Sequence, residues 1–399
     1  FRPDILITRF NQTPGITHGH HTASAILADK AFNLSGDPDA FPDQLKHVKV
    51  WKPKRILWNT SSRFFNLDNY DMDKMLKIDV GVYNNKMGKS YNEIASESRS
   101  MHKSQAFGSL RRRGSEVELL VYSQGVEAKK DIMEGIETSW KRVRASETLT
   151  QHIKNAQDSF QINRPYEIID ELTSAYKELN RLVDRDWRAI KKNEIKNLIK
   201  ACSGLFFEAL SGSEIASVGE EINISFDAIN RSPYNIKLEK ISILGEEFNV
   251  DDILENNKIF RLEKKIKIPV NKQFSEKYWL VQKADFGTYK INDQKLIGDP
   301  DNSPSLSSKF VFRVNGQEIS YNVPVVFKVN SPIKGDDYRP FNIGNPVYLN
   351  PKNSMELIVN SNKKKLSVDV VSGIDNLKTK VHLKVPEGIK VQPEFYDVE

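Results

Sequence analysis

Asp4-Ile5-Leu6-Ile7-Thr8-Arg9-Phe10 passes through Asn11-Gln12-Thr13-Pro14-Gly15 into Thr17-His18-Gly19-His20-His21-Thr22-Ala23-Ser24. The first seven residues of this stretch are a short apolar run rich in branched side chains, which predicts a buried strand. The Asn-Gln-Thr-Pro-Gly segment breaks that pattern, and the small residues after the histidines predict a helix. A strand that delivers a loop to the start of a helix is where an open α/β sheet normally holds its ligand. Three of the chain's seven histidines lie in that loop, within four positions.

Neutral imidazole is a common zinc ligand, and the His-x-x-His separation of His18 and His21 lets two rings converge on one small volume. One ring can ligate while the other donates a hydrogen bond to charge developing on a substrate oxygen. A metal-dependent enzyme is therefore the first hypothesis. Spacing alone fits a second reading equally well, a helix-capping and solvated histidine loop, because one segment seldom supplies every ligand of a site.

Arg2-Pro3-Asp4-Ile5-Leu6-Ile7-Thr8, His18-Gly19-His20-His21 and the helix-forming Ala23-Ser24-Ala25-Ile26-Leu27-Ala28 together resemble the second half of a PIG-L/LmbE-type de-N-acetylase. A second match follows in Lys77-Ile78-Asp79-Val80, Lys89, Glu93, Ser100, His102 and Ser104-Gln105. The resemblance implies a Zn2+-dependent hydrolase acting on N-acetylglucosamine-containing substrates. It implies His21 as the zinc ligand and His18 as the histidine that stabilises the oxyanion. His20 stands where the family usually has Asp, a departure from the pattern at a position that can orient or tune the neighbouring ring. The family's opening His-Pro-Asp-Asp, source of further ligands and the general base, does not occur in this chain. Since the chain starts at Phe1, almost inside a strand, an amino-terminal truncation is expected, and the piece alone is expected to be inactive. Long bacterial relatives usually carry a secretory signal, so the resemblance implies a periplasmic or secreted location.

The 399 residues predict more than one domain. Hydrophobic residues at 39% and charged residues at 28% suit a soluble globular protein, and no apolar run approaches the ~20 residues that span a bilayer. A net charge of +6, with acidic and basic residues interleaved, argues against nucleic acid as the principal partner. The lone Cys202 excludes an intramolecular disulfide and lies in an apolar helical run, where a buried, inert thiol is favoured over a nucleophile.

The expected fold class is multidomain, α/β followed by all-β. Residues 1–135 read as the C-terminal part of a Rossmann-like α/β layer, with strands at Asp4 to Phe10, Arg55 to Asn59 and Val117 to Tyr122 and a helix over Ser90 to Ser104. Residues 136–212 read as a helical segment: Ile168, Leu172, Tyr176, Leu179, Val183 and Trp187 share one stripe from a start at Arg164-Pro165. A second helix is expected over Lys192 to Leu210, carrying Ile195, Leu198, Cys202, Leu205 and Phe206. After Ser211-Gly212-Ser213 the period becomes two, at Ile222/Ile224/Phe226, Ile266/Ile268/Val270, Phe310/Phe312/Val314 and Ile319/Tyr321/Val323. With Asn315-Gly316 at a hairpin position, residues 213–332 predict an antiparallel β-sandwich. Ser331 to Asp337 reads as a linker, and 338–399 as a second, truncated sandwich with strands at Met355 to Val359, Lys365 to Val371 and Lys380 to Val385. Both resemble the immunoglobulin-like modules of long family members, and no repeat shorter than a domain is present.

Other residues have two readings each. Asp79 fits a carboxylate that orients a metal-bound histidine, or a cap on the turn before Gly81. His102 fits a substrate contact, as the family match implies, or an exposed surface histidine. Arg9 is a further substrate-binding candidate, at the end of the first strand. Arg111-Arg112-Arg113 and Lys363-Lys364-Lys365 fit anion sites or solvated charge runs. Trp51, Trp58, Phe64, Phe65 and Tyr70 fit a sugar platform or a packed core, with Trp58 the strongest sugar-contact candidate. A non-catalytic glycan- or protein-binding module with a degenerate deacetylase domain is the rival to the hydrolase, and the β-sandwiches are candidates for glycan or cell-surface contact.

Overall fold

Branched residues at Ile5, Leu6 and Ile7 suit a pleated strand, and Ile5–Thr8 forms β1 in the computed structural model, which describes residues 2–61, 65–357 and 363–398. The chain divides into two compact units, Phe1–Arg142 and Val143–Glu399. In the first unit β1 is followed by α1 (Gly19–Leu34) and β2 (Arg55–Thr60), which pairs parallel to β1 from Ile5 opposite Arg55 to Thr8 opposite Trp58. This is a βαβ crossover. Then come β3 (Leu76–Asp79), the short hairpin strands β4 (Tyr83–Asn84) and β5 (Lys89–Ser90), α2 (Tyr91–Ser100) and β6 (Val117–Gly125).

The main sheet has the order β1-β2-β6-β3, and β6 runs antiparallel to both neighbours, so the sheet is mixed. β1 is an edge strand, and its Ile7 is 52% exposed where a buried strand is predicted; an edge strand has a neighbour on one side alone. The interior strand β2 alternates between two cores. Leu57 packs with Leu76, Leu120 and Ala128 on one face, and Trp58 packs with Phe65, Leu67 and Met75 on the other. The helix predicted to reach Ser104 ends at Ser100. Its start is fixed by a capping box, in which the Ser90 hydroxyl accepts from the Glu93 N–H and the Glu93 carboxylate accepts from the Ser90 N–H.

In the second unit α3 (Glu147–Ser159), α4 (Ile169–Glu178) and α5 (Arg185–Cys202) precede the strands. The stripe predicted to run unbroken to Trp187 is interrupted. Asp184 takes an extended conformation and its carboxylate caps the N–H groups of Asp186 and Trp187, starting a new helix and leaving Val183 exposed. The helix predicted to run to Leu210 stops at Cys202. Gly204, at φ +59°, closes a Schellman motif in which Leu205 N–H donates to the Lys200 carbonyl and Gly204 N–H to that of Ala201. Phe206–Ser211 is therefore a strand, β7.

β8 (Ile215–Ser217), β9 (Glu221–Ile229), β10 (Ile236–Ile243), β11 (Glu246–Ile253), β12 (Ile259–Lys267), β13 (Ser307–Val314), β14 (Gln317–Ser331) and β15 (Gly335–Pro340) complete most of the β-rich part. The strand path is β11-β10-β13-β14-β7-β9-β12, with β15 also on β14. β14 changes partners at Pro324: residues before it pair with β13, and residues after it pair with β7 and β15. Phe207 of β7 meets Phe310, Phe312 and Tyr321 of β13 and β14, with ring centroids 5.0–5.3 Å apart, which forms the centre of the core. Asn315 and Gly316 both take positive φ in the β13–β14 turn, as a type I′ hairpin requires. Tyr321 donates to the Lys196 carbonyl and Asn315 to the Thr173 hydroxyl, so the helices and the sheet share one unit.

Two sequence expectations change here. Ser331 to Asp337 is a hairpin turn rather than a linker, since Ser331 pairs with Gly335 and Val329 with Asp337. Val270 lies beyond the end of β12 and is exposed, whereas Ile266 and Ile268 are buried. Further on, β16 (Asn342–Gly344) pairs with β8, β17 (Val347–Pro351) with β18 (Val368–Ser372), and β19 (Thr379–His382) with β20 (Phe395–Val398). Met355 to Leu357 is not in a strand, and the rest of that expected strand, like Phe64 of the aromatic cluster, lies outside the described residues.

Candidate functional site

His18 is the N-cap of α1, at φ −65° and ψ 149°, and its carbonyl accepts from the His21 and Thr22 N–H groups at 2.9 and 3.3 Å. Its side chain does not cap the helix. Instead the His18 and His21 rings lie parallel, with centroids 5.4 Å apart, and His21 stacks on Phe10 at 3.9 Å. The loop from β1 and the first turn of α1 thus meet in a three-ring arrangement of Phe10, His21 and His18. Among the described residues neither imidazole has a hydrogen-bond or ion-pair partner. His18 and His20 are exposed and His21 is half-buried.

Phe10 joins these rings to a cleft of about 260 Å³. Thr8, Phe10, Asn11 and Gln12 line it from β1 and the following loop, Ala25 and Asp29 from α1, and Trp58, Tyr70 and Tyr122 from beyond the helix. Ala25 and Asp29 are four apart and so share a face of α1. Gln124 donates to the Asp29 carboxylate. The cleft combines aromatic faces with amide, hydroxyl and carboxylate groups, a lining suited to a small polar ligand with apolar ring faces.

Trp58 lines the cleft but is 6% exposed, with Phe65 and Tyr70 edge-on at 4.9 and 5.6 Å. It is a buried residue that borders the cleft, and its indole N–H has no partner among the described residues. Arg9 donates to the Asn59 side-chain oxygen and lies 3.3 Å from Glu118, while Asn59 donates to Glu118 at 2.7 Å. Its Nη1 is thus engaged by a network that reaches β2 and β6.

The remaining candidates lie apart from the ring arrangement. Asp79 is committed to backbone: its Oδ1 accepts from Gly81 N–H at 2.8 Å and Glu116 N–H at 2.9 Å. A hydrogen bond from Ser115 and those two N–H groups hold its carboxyl below the usual aspartate range. This is the turn-capping arrangement, and no histidine is among its hydrogen-bond partners. Gly81 is required there, since a Cβ would sit 1.8 Å from the Gly114 carbonyl oxygen. His102 is exposed, outside α2, with its ring edge-on to Phe107 at 6.4 Å. Arg111, Arg112 and Arg113 pair with Glu97, Glu116 and Glu93 at 2.8–3.3 Å, so the arginine run tethers its loop through local carboxylates. Lys364 pairs with Glu356. Cys202 is buried, and desolvation pushes its thiol pKa up, away from nucleophilic character.

The donor chemistry at His21 fits zinc, because an imidazole nitrogen is a common ligand for it. The number of donors does not complete a coordination shell: among the described residues no group of three His, Cys, Asp or Glu side chains is placed to hold a metal ion. Sequence reasoning missed Asn11, Gln12 and Asp29 as lining residues. The helical spacing from His21 through Ala25 to Asp29 was the signal available.

No protein-family model matches the chain, and no curated protein matches it. Among solved structures, the sporulation control protein Spo0M from Bacillus subtilis aligns at 7% identity over 30% of this chain and 48% of its own, with a TM-score of 0.17. The Pseudomonas fluorescens alkylpurine DNA glycosylase AlkC, bound to DNA containing an abasic site analog, aligns at 12% identity over 40% of this chain and 50% of its own, also at 0.17. The matched part thus spans about half of each of those proteins.

Proposed function

We propose that this chain carries the sugar-contacting part, and one metal-ligating residue, of a site that removes N-acetyl groups from N-acetylglucosamine-type glycans or glycoconjugates. The observation that supports the reading is the Phe10, His21 and His18 ring arrangement at the start of α1, joined through Phe10 to the mixed aromatic and polar cleft. His21 is the residue that would hold Zn2+, and His18, exposed beside it, is the donor for an amide oxygen that gains negative charge. When bound, the metal supplies Lewis-acid polarisation and a water of lowered pKa. The protein's own share is to seat the pyranose against aromatic faces and to direct its hydroxyl and acetamido groups to Asn11, Gln12 and Asp29. In this reading the first unit is a Rossmann-like deacetylase layer and the β-rich unit is built from immunoglobulin-like modules that contact glycan or the cell surface, in a periplasmic or secreted setting.

One observation favours a second reading. Two imidazoles without a third donor among the described residues also suit a glycan-binding module that does not turn over. Titration of the full chain with Zn2+ and with tri-N-acetylchitotriose separates the two. The hydrolase reading expects Zn2+ binding that His21→Ala abolishes and His18→Ala retains, and sugar binding that Asp29→Ala weakens about tenfold. Sugar binding with no His21-dependent metal binding selects the module. Absence of both, or sugar binding indifferent to Asp29, overturns the cleft as a glycan site.

A further inference from the structure

The 39 residues between β12 and β13, 268–306, contain one three-residue helical turn and no strand of their own. Long irregular connections in compact units are commonly functional, because ordering them costs conformational entropy that packing must offset. This one is pinned at its base. Asn302 donates to the Glu276 carbonyl and accepts from the Tyr278 N–H, the Tyr278 hydroxyl donates to the Asp299 carbonyl at 2.9 Å, and Lys277 pairs with Asp301. Ser275 N–H donates to the Ile343 carbonyl, which ties the same base to β16.

Beyond that base, apolar side chains face solvent. Phe286 is 107% exposed, at the first central position of a tight turn closed between Asp285 and Thr288, with Gly287 at φ +79°. Leu280, Val281, Tyr289 and Ile297 on the same loop are also exposed. Lysines are interleaved with them. Lys290 is paired with Asp285, whereas the side chains of Lys283 and Lys295 have no ion-pair partner among the described residues. Half-buried Trp279 and Tyr278 sit at the pinned base, edge to face at 4.8 Å.

We infer that this loop inserts its tip into an anionic lipid surface. A glycan would call for half-buried aromatic faces flanked by hydrogen-bonding groups, and a phenylalanine fully in water at the tip offers none. A protein groove reads apolar anchors at the fixed spacing of a helix or strand, which this loop lacks. A fluid interface imposes no such register. It takes apolar side chains at the acyl boundary, amphipathic aromatics at headgroup depth and unpaired lysines against anionic headgroups, and this loop carries all three kinds of side chain. The inference concerns the second unit and does not depend on the hydrolase reading.

Co-sedimentation of the full chain with vesicles of phosphatidylglycerol and phosphatidylethanolamine, against vesicles of phosphatidylcholine alone, tests it. Binding to the anionic vesicles is expected, weakened by added salt, with Phe286→Asp lowering the partition coefficient about tenfold or more. Because Phe286 contacts solvent alone, that variant keeps the circular dichroism spectrum of the parent. Lys283→Glu with Lys295→Glu should weaken binding to the anionic vesicles. Failure of the unmodified chain to bind anionic vesicles overturns the inference. So does binding that the lysine changes abolish and Phe286→Asp leaves intact, which would mean adsorption without insertion. Self-association that Phe286→Asp dissolves, without vesicle binding, would assign the tip to a second copy of the chain.

Discussion

Replacing Trp58 by alanine and by phenylalanine separates a core role from a sugar-platform role. A tryptophan side chain buries about 200 Å², worth about 5 kcal/mol at ~25 cal/mol per Å², and that is an upper bound because the unfolded chain already shields part of it. Against this stands the buried indole N–H that finds no acceptor among the described residues, a cost of about 1–3 kcal/mol that both variants remove. Trp58→Ala is therefore expected to destabilise the first unit by about 3 kcal/mol, and Trp58→Phe, which keeps a ring against Phe65 and Tyr70, by less than about 1 kcal/mol. For a unit of this size the alanine change lowers Tm by roughly 10 °C. Differential scanning calorimetry of the full chain reads this as a shift of one transition with the other in place, since the chain forms two compact units. A shift under about 2 °C for Trp58→Ala would refute the packing argument. Equal damage from both variants would show that the indole N–H has an acceptor after all.

Three further outcomes follow from other sites. Arg55 is 1% exposed, donates a hydrogen bond to the Glu134 carbonyl and leaves Nε and Nη1 without partners among the described residues, so Arg55→Met is expected to be neutral or to stabilise the first unit by up to about 2 kcal/mol; marked destabilisation in calorimetry would contradict that. Gly204→Ala forces a Cβ into the left-handed region at φ +59°, 3.1 Å from the Arg231 Cβ, and should cost the second unit about 1–2 kcal/mol in urea unfolding, whereas an unchanged midpoint would remove the Schellman turn as the helix stop. Asp79, Glu93, Glu97 and Glu134 all have carboxyl pKa values held low by hydrogen bonds, chiefly from the Ser115 side chain for Asp79, from backbone N–H groups for Glu93 and Glu134, and from Lys89 for Glu97. At acid pH the unfolded first unit therefore binds more protons than the folded one, so its stability is complete above about pH 5 and declines as pH falls through the folded values. A first-unit Tm independent of pH between about 5 and 3 would contradict the assignment of those hydrogen bonds.

Local chemistry made much of the fold legible. Period-two alternation placed Ile222, Ile224 and Phe226 on the buried face of β9, and Asn315-Gly316 supplied the positive φ pair of a hairpin, because both signals act within a few residues. The histidine run at a loop-to-helix junction was legible for the same reason: His18 is the N-cap because the chain changes from extended to helical there. Helix ends at Asp184 and Gly204 were also written locally, in an N-cap carboxylate and a C′ glycine, but a continuing apolar stripe outweighed them.

What tertiary structure alone decided is which partners meet. Arg111 to Arg113 read as a free cationic run until three carboxylates from α2 and the turn into β6 closed on them, and Asp79 could orient a histidine or cap a turn until Gly81 and Glu116 presented their N–H groups. Trp58 became a buried residue bordering the cleft because β2 is interior to the sheet, whereas β1, with the more apolar sequence, became an edge. The places of β1, β2 and β6 in the sheet depend on contacts between residues fifty or more apart. Side-chain period along a strand depends on the backbone alone, so the sequence carries it in every short window, while burial and pairing exist once distant segments have met.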